Sequence, residues 1–287
     1  MNTNNHDADA QFVINLAPTG MVMHRSDSPA IPLSAEEIIS DVLACRQLGV
    51  TSVHLHARAE DGQPSNDPAR YARIIEGIRA VDEELVLCVS CSGRLDPSFK
   101  NRAQVLDLDG DLKPDMASLT PSSLNFPRSA SINQPDTVRS LAERMTERGI
   151  KPEIEIFDLG MLNYTYYLID KGALQPPYYF NIILGNIASA QMDPLHIGVL
   201  LKQLPEDSIW SVGGIGRTQL PANTLSLSLG GGVRIGLEDN IWFDSARTDL
   251  ASNTRMVERI AEIGQLLGRR PMAAAELRQR LGLRTGF

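Results

Sequence analysis

Eight short runs with strand character alternate with helix-patterned stretches along this 287-residue chain, and that alternation restricts the fold more than any single motif. The strand-like runs are FVINLAP (12–18), SVHLHAR (52–58), LVLCVSCS (85–92), MASLT (116–120), EIEIFDLG (153–160), YYFNIILG (178–185), SIWSVGGIG (208–216) and VRIGLEDN (233–240). Gly, Pro or polar residues bound each of them. Helical spacing is clearest in 34–49, where Ser34 and Glu37 read as a capping box and Gly49 as a stop. It recurs in 68–81, 135–149 and 253–268, with weaker patterns after the other strands and a last one over 272–283. Strand–helix repeated eight times is the arithmetic of a (β/α)8 TIM barrel, here with an extra C-terminal helix. A doubly wound sheet would carry a glycine fingerprint at its first βα turn, but that turn reads APTGM (17–21). With no linker or repeat to divide it, the chain reads as a flexible N-terminal tail over 1–11 and one barrel domain over 12–287.

Composition narrows the partners. The 27 basic and 35 acidic residues give a net charge of -8 with no Lys/Arg cluster, which argues against nucleic acid or an anionic membrane as partner. No apolar run approaches the roughly 20 residues that span a bilayer, and the polar, acidic start MNTNNHDADA resembles no targeting peptide. Three cysteines in so long a chain make no disulfide framework, so a reducing cytoplasm is the expected compartment. Cys88 and Cys91 have redox spacing, but they fall within a predicted strand and point to opposite faces, as packing residues do.

A barrel gathers its chemistry at the C-terminal ends of its strands. The second strand ends in His54-Leu55-His56, and residues i and i+2 share a face roughly 7 Å apart along the strand. In the eighth, Arg234, Gly236 and Glu238 share a face by the same rule. Glu238 is then expected beside the two histidines, completing a His, His, carboxylate set that suits catalytic Zn2+, with Fe(II) left open by the same donors. The alternative for Arg234 and Glu238 is an internal salt bridge without metal. Asp239, next to Glu238, is the expected general base. Glu155, on the fifth strand, either orients Arg234, contacts substrate, or is a satisfied barrel carboxylate. Ser90, Gly93, Ser118 and Thr120 crowd the ends of strands three and four, where small polar groups suit a substrate carboxylate or carbonyl.

With VHLHAR and VRIGLEDN together, the chain resembles the β-keto acid cleavage enzyme family. The likeness runs from INLAPTG (14–20) through KPDMASLTPSSLNF (113–126), PEIEIFDLGM (152–161) and GGIGR (213–217) to the last helices. It implies a zinc-dependent enzyme that condenses a β-keto acid with acetyl-CoA, giving acetoacetate and a new acyl-CoA. It also implies His54, His56 and Glu238 as zinc ligands, Asp239 as base, and Arg234 with Glu155 as its positioners. Ser90, Gly93, Ser118 and Thr120 fall where the family holds the substrate's carboxylate and keto groups, and the family forms homotetramers. Five tyrosines between Tyr164 and Tyr179 would suit such an interface or plain packing.

Departures from the pattern bear on substrate. Val22 stands where the family's type member has a Glu that binds an ammonium group, so an uncharged aliphatic or small polar tail is expected. Arg94 offers a cation to an anionic group of the substrate or to a CoA phosphate, or is a plain surface arginine. His24 and Arg25 are candidate contacts of a lid. Two rival readings are a metal-dependent hydrolase or aldolase that needs no CoA, and a non-catalytic barrel that binds a metabolite or a partner protein.

Overall fold

The structure, a computed structural model, describes residues 10–285. Its centre is a closed, all-parallel barrel of eight strands in chain order: β1 Ile14–Leu16, β2 Ser52–Leu55, β3 Val86–Val89, β4 Met116–Leu119, β5 Lys151–Ile156, β6 Tyr178–Leu184, β7 Ser208–Gly214 and β8 Gly232–Ile235. The helices are α1 Ala35–Arg46, α2 Pro68–Arg79, α3 Phe99–Ala103, α4 Pro135–Glu147, α5 Leu159–Asp170, α6 Pro194–Lys202, α7 Gln219–Ser228, α8 Asn253–Leu266 and α9 Ala274–Leu281. One follows each strand and α9 is the extra C-terminal helix, so the expected (β/α)8 barrel is the observed fold. No helix among the described residues is long and apolar enough to cross a membrane.

The starts and stops have local causes. The Ser34 hydroxyl accepts the Glu37 N–H and the Glu37 carboxylate accepts the Ser34 N–H, which is the capping box that opens α1. Asp67 caps α2 ahead of Pro68, whose missing N–H costs nothing at that position. Asp158 caps α5, so the fifth strand stops at Ile156 rather than at 160. Residues 1–9 of the expected tail lie outside the described residues. Gln11, its last residue, is buried and pairs in parallel with Arg270, so ordered chain begins before residue 12.

Strand alternation sorts the side chains into two shells. Ile14, Leu16, Val53, Leu55, Leu87, Val89, Ile154 and Ile156 point outward and join one core with the helices. The intervening residues face the lumen, and many are polar: Asn15, Ser52, His54, Glu153, Asn181, Ser211 and Arg234 are all buried. Below them Val13, Val86, Cys88, Met116 and Tyr179 pack against Met272, Leu277 and Leu281 around α9. That helix therefore plugs the N-terminal end of the barrel. The plug is tied down by Arg278, whose two terminal nitrogens donate to Asp115 at 2.9 and 2.8 Å. Cys88 and Cys91 belong to the two different cores, as expected of packing residues on opposite faces. The tyrosines divide similarly: Tyr179 is in the lumen, whereas Tyr164 and Tyr167 stack at 5.4 Å on α5 with Tyr167 exposed.

Candidate active site

The open end of the barrel leads into a cavity of about 500 Å3. Two strand ends that stop early shape its floor. β2 ends at Leu55, because Ala57–Arg58 turn away to pair antiparallel with Pro64–Ser65. His56 therefore lies just past the strand, yet its imidazole converges with that of His54: the two Nε2 atoms are 3.3 Å apart.

The larger departure is in the eighth strand. It stops at Ile235, so Glu238 does not reach the site by strand alternation. Gly236 takes φ 148°, and a Cβ there would lie 2.1 Å from the Ala17 carbonyl oxygen, so only glycine fits. The chain then turns, and the turn is pinned from outside. Asn253 Oδ1 accepts the Leu237 N–H at 2.9 Å, Gln219 donates to the Gly236 carbonyl, and Gly216 donates to that of Asp239. Gly20, in the loop after β1, lets Glu238 close in: a Cβ there would stand 2.5 Å from Glu238 Cγ.

Glu238 Oε1 thus comes to 3.4 Å from His56 Nε2. Arg234 meets three carboxylates, giving Nη2 to Glu238 at 2.9 Å, Nε to Asp239 Oδ2 at 2.9 Å and Nη1 to Glu155 Oε1 at 3.3 Å. Glu155 is itself held by the Thr120 hydroxyl at 2.8 Å. Glu155 is thus bonded to Arg234 and Thr120 while still lining the cavity.

Charge follows from these neighbours. Burial opposes the charge on Arg234, but Asp239, Glu238 and Glu155 outweigh it and hold the guanidinium well above its ordinary range. Glu238 is driven up by burial and down by His56 and Arg234, with a net fall well below the usual carboxylate range. Asp239 goes the other way: burial raises it, and Arg234 offsets only part of that rise. Two carboxylates side by side thereby acquire different basicities.

Whether the site suits a metal can be read from its donors. The ligand atoms of His54, His56 and Glu238 all lie within 4.8 Å of one another. Glu238 Oε2 is buried and has no hydrogen-bond partner among the described residues, a costly state that a cation would relieve. His56 is pulled down by burial, which favours the neutral ring a metal needs. The residues fit a divalent ion of the zinc or iron type.

Glu153 is the principal residue that sequence reasoning missed. It is buried one layer below and accepts from His54 Nδ1 at 2.5 Å and from Asn15 and Asn181 at 2.7 Å each. The signal was in EIEIF, where alternation that turns Glu155 into the lumen must turn Glu153 there too.

Other expected site residues separate. Val22, Ser90, Arg94 and Thr120 line the cavity together with Met21, His24, Phe126 and Phe157. Gly93 and Ser118 do not. Ser118 Oγ accepts the Cys91 N–H at 3.0 Å, and a Cβ on Gly93 would meet the Ile132 carbonyl at 2.5 Å. Both hold the loop after β3 in place instead of facing substrate. Arg25 is likewise turned aside, bonded to Glu37 and to the Pro29 carbonyl.

Fold and site together define a (β/α)8-barrel enzyme with a buried cluster of histidines, carboxylates and an arginine at one mouth of the barrel. The chain belongs to the β-keto acid cleavage enzyme family, whose sequence model matches residues 11–283, a family of enzymes that cleave C–C bonds with acyl transfer. Among its relatives is the 3-oxoadipate:acetyl-CoA acetyltransferase of Cupriavidus necator, 37% identical over 274 residues, 94% of each chain. The 3-keto-5-aminohexanoate cleavage enzyme of Fusobacterium nucleatum is 33% identical over 275 residues, 96% of this chain and 98% of that one. Among solved structures, apo ObcA superposes with a TM-score of 0.80 at 22% identity, covering 89% of this chain and 66% of that one, which bears on the fold alone.

Proposed function

We propose that the protein exchanges acyl groups between a β-keto acid and acetyl-CoA. The acetyl group of acetyl-CoA replaces the acyl group on C2 of the keto acid, giving acetoacetate, and the displaced acyl group leaves as its CoA thioester. The observation that carries this reading is the arrangement of Asp239 and Glu238 on one arginine, beside two histidines, at the floor of a cavity. The relatives named for acetyl-CoA support the choice of second substrate.

In this reading His54, His56 and Glu238 hold a divalent metal, Zn2+ by preference, which supplies Lewis-acid polarisation of the keto oxygen. Asp239 removes a proton from C2. Its basicity suits that task, because burial raises its carboxyl above the ordinary range while Arg234 keeps it oriented. Asp239 Oδ1 takes no hydrogen bond from any described residue, so that oxygen is the one available to the proton. Glu155, fixed by Thr120, completes the cage that stops Arg234 from swinging away. Ser90 offers a hydroxyl to the substrate carboxylate. A homo-oligomer belongs to the same reading, with the exposed Tyr167 and its stacked partner Tyr164 as part of the contact.

The test is a panel of β-keto acids assayed with and without acetyl-CoA, with metal analysis of the protein as isolated. Formation of acetoacetate and acyl-CoA only when both substrates are present is the expected result. Turnover that is indifferent to acetyl-CoA would make the protein a hydrolase or aldolase and overturn the proposal.

A further inference from the structure

Each of the three nitrogens of Arg234 already donates to a carboxylate, Glu155, Glu238 or Asp239, so its charge is matched within that cluster. Arg94 differs. It lines the same cavity, is partly buried, and lies over Phe126 with its guanidinium carbon 3.4 Å from the ring centroid. Among the described residues no carboxylate stands within ion-pair distance of it, and its side chain makes no hydrogen bond. A guanidinium clamped on an aromatic face, with its fork unspent, is preorganised for a carboxylate. Arg128 shares this wall but is exposed, so water screens its charge.

We propose that Arg94 receives a second carboxylate at the far end of the substrate, so that the β-keto acid handled here is a dicarboxylic one. The inference rests on the function proposed above, because that reading fixes which substrate carbon lies against Asp239. The first carboxylate is bonded directly to that carbon and must stay near the reacting groups. Arg94 lines the same cavity but makes no ion pair with Asp239, Glu238 or Glu155, so its guanidinium stands beyond contact with that centre and on the Phe126 wall. Met21, Val22 and Phe157 supply an apolar wall for intervening methylenes. This replaces the uncharged tail expected from Val22 alone.

The experiment uses non-reacting probes, the 3-hydroxy dicarboxylates of five to seven carbons, each compared with the 3-hydroxy monocarboxylate of equal length. Calorimetry on the metal-loaded protein is expected to show the best dicarboxylate binding about 100-fold tighter than its partner. In Arg94→Met that preference should collapse to about threefold or less, and Arg94→Lys should restore part of it. Equal weakening of both probes would place the common carboxylate on Arg94 and overturn the inference. So would an unchanged preference together with a raised KM for acetyl-CoA, which would assign Arg94 to a CoA phosphate. Because binding is read without turnover, a dicarboxylate preference in a protein that turns over no β-keto acid would count against the proposed reaction and leave the Arg94 site standing.

Discussion

Glu153 Oε2 lies 2.5 Å from Nδ1 of His54, and Asn15 and Asn181 donate to the other oxygen of the same carboxylate. Burial works against this carboxylate, but His54 outweighs it and lowers Glu153 to about 2, while the Glu153 charge raises His54 to about 9 against the same burial. The bond to Glu153 fixes the Nδ1 proton, so Nε2 is the nitrogen a metal would take, in exchange for the second proton that the Glu153 charge favours. In Glu153→Gln one of the two oxygens becomes a donor, so at least one of the three bonds is lost. Metal affinity is expected to fall about 10- to 100-fold, read by competition with a chelating dye. Wild-type affinity in this variant would show that His54 is oriented by packing alone.

Base and ligand should be separable by mutation. Asp239→Asn is expected to keep its metal and lose at least about 100-fold in kcat, since a positioned general base contributes on that scale. His56→Ala is expected to come out of purification without metal. Normal turnover by Asp239→Asn would remove that residue from the proton transfer.

Asp41 gives a pH dependence remote from the chemistry. Burial pushes its carboxyl up to about 6, although Asn253 donates to it at 2.6 Å. The ordinary value is about 3.9, so the folded chain binds this proton more tightly than the unfolded chain. Its contribution to stability is present at about pH 4, falls as pH rises to about 6, and is flat above. Asp41→Asn should remove that slope and raise stability at pH 7 by on the order of 2 kcal/mol. Urea titrations at pH 4.5 and pH 7 check it, and an unchanged slope would exclude Asp41 as its source.

Arg278→Ala tests the plug. It would leave Asp115, whose side chain is fully buried, with Arg79 at 3.4 Å and Arg284 at 3.8 Å in place of its closest partner. A loss of about 3 kcal/mol is expected in chemical denaturation. Since α9 closes the end of the barrel opposite the cavity, KM values should stay as they were.

Much of the site was legible because strands have a period of two. His54, Arg234 and Glu155 face the lumen where alternation puts them, and the paired motifs supplied the three residues whose ligand atoms cluster there. The same rule gave a wrong route to Glu238. Alternation expected a strand through 240, but the positive φ of Gly236 ends it and a turn delivers the carboxylate instead. Ser118 and Thr120 share a strand end and a chemistry, yet one hydroxyl serves the Cys91 backbone and the other holds Glu155. Nothing local separates two such hydroxyls, since the difference lies in which neighbour the barrel brings to each.

The amino-acid sequence alone determined the (β/α)8 barrel and placed His54, Arg234 and Glu155 on its lumen face. These follow from periodicity and residue type, which are properties of short segments. Only the tertiary structure decided that Arg234 meets three carboxylates while Arg94, set on the Phe126 ring, pairs with none among the described residues. It also decided that Glu153 stands under His54 and that α9 seals the other end. Each of these is a pairing between residues far apart in the chain, and barrel closure, not local preference, sets those distances.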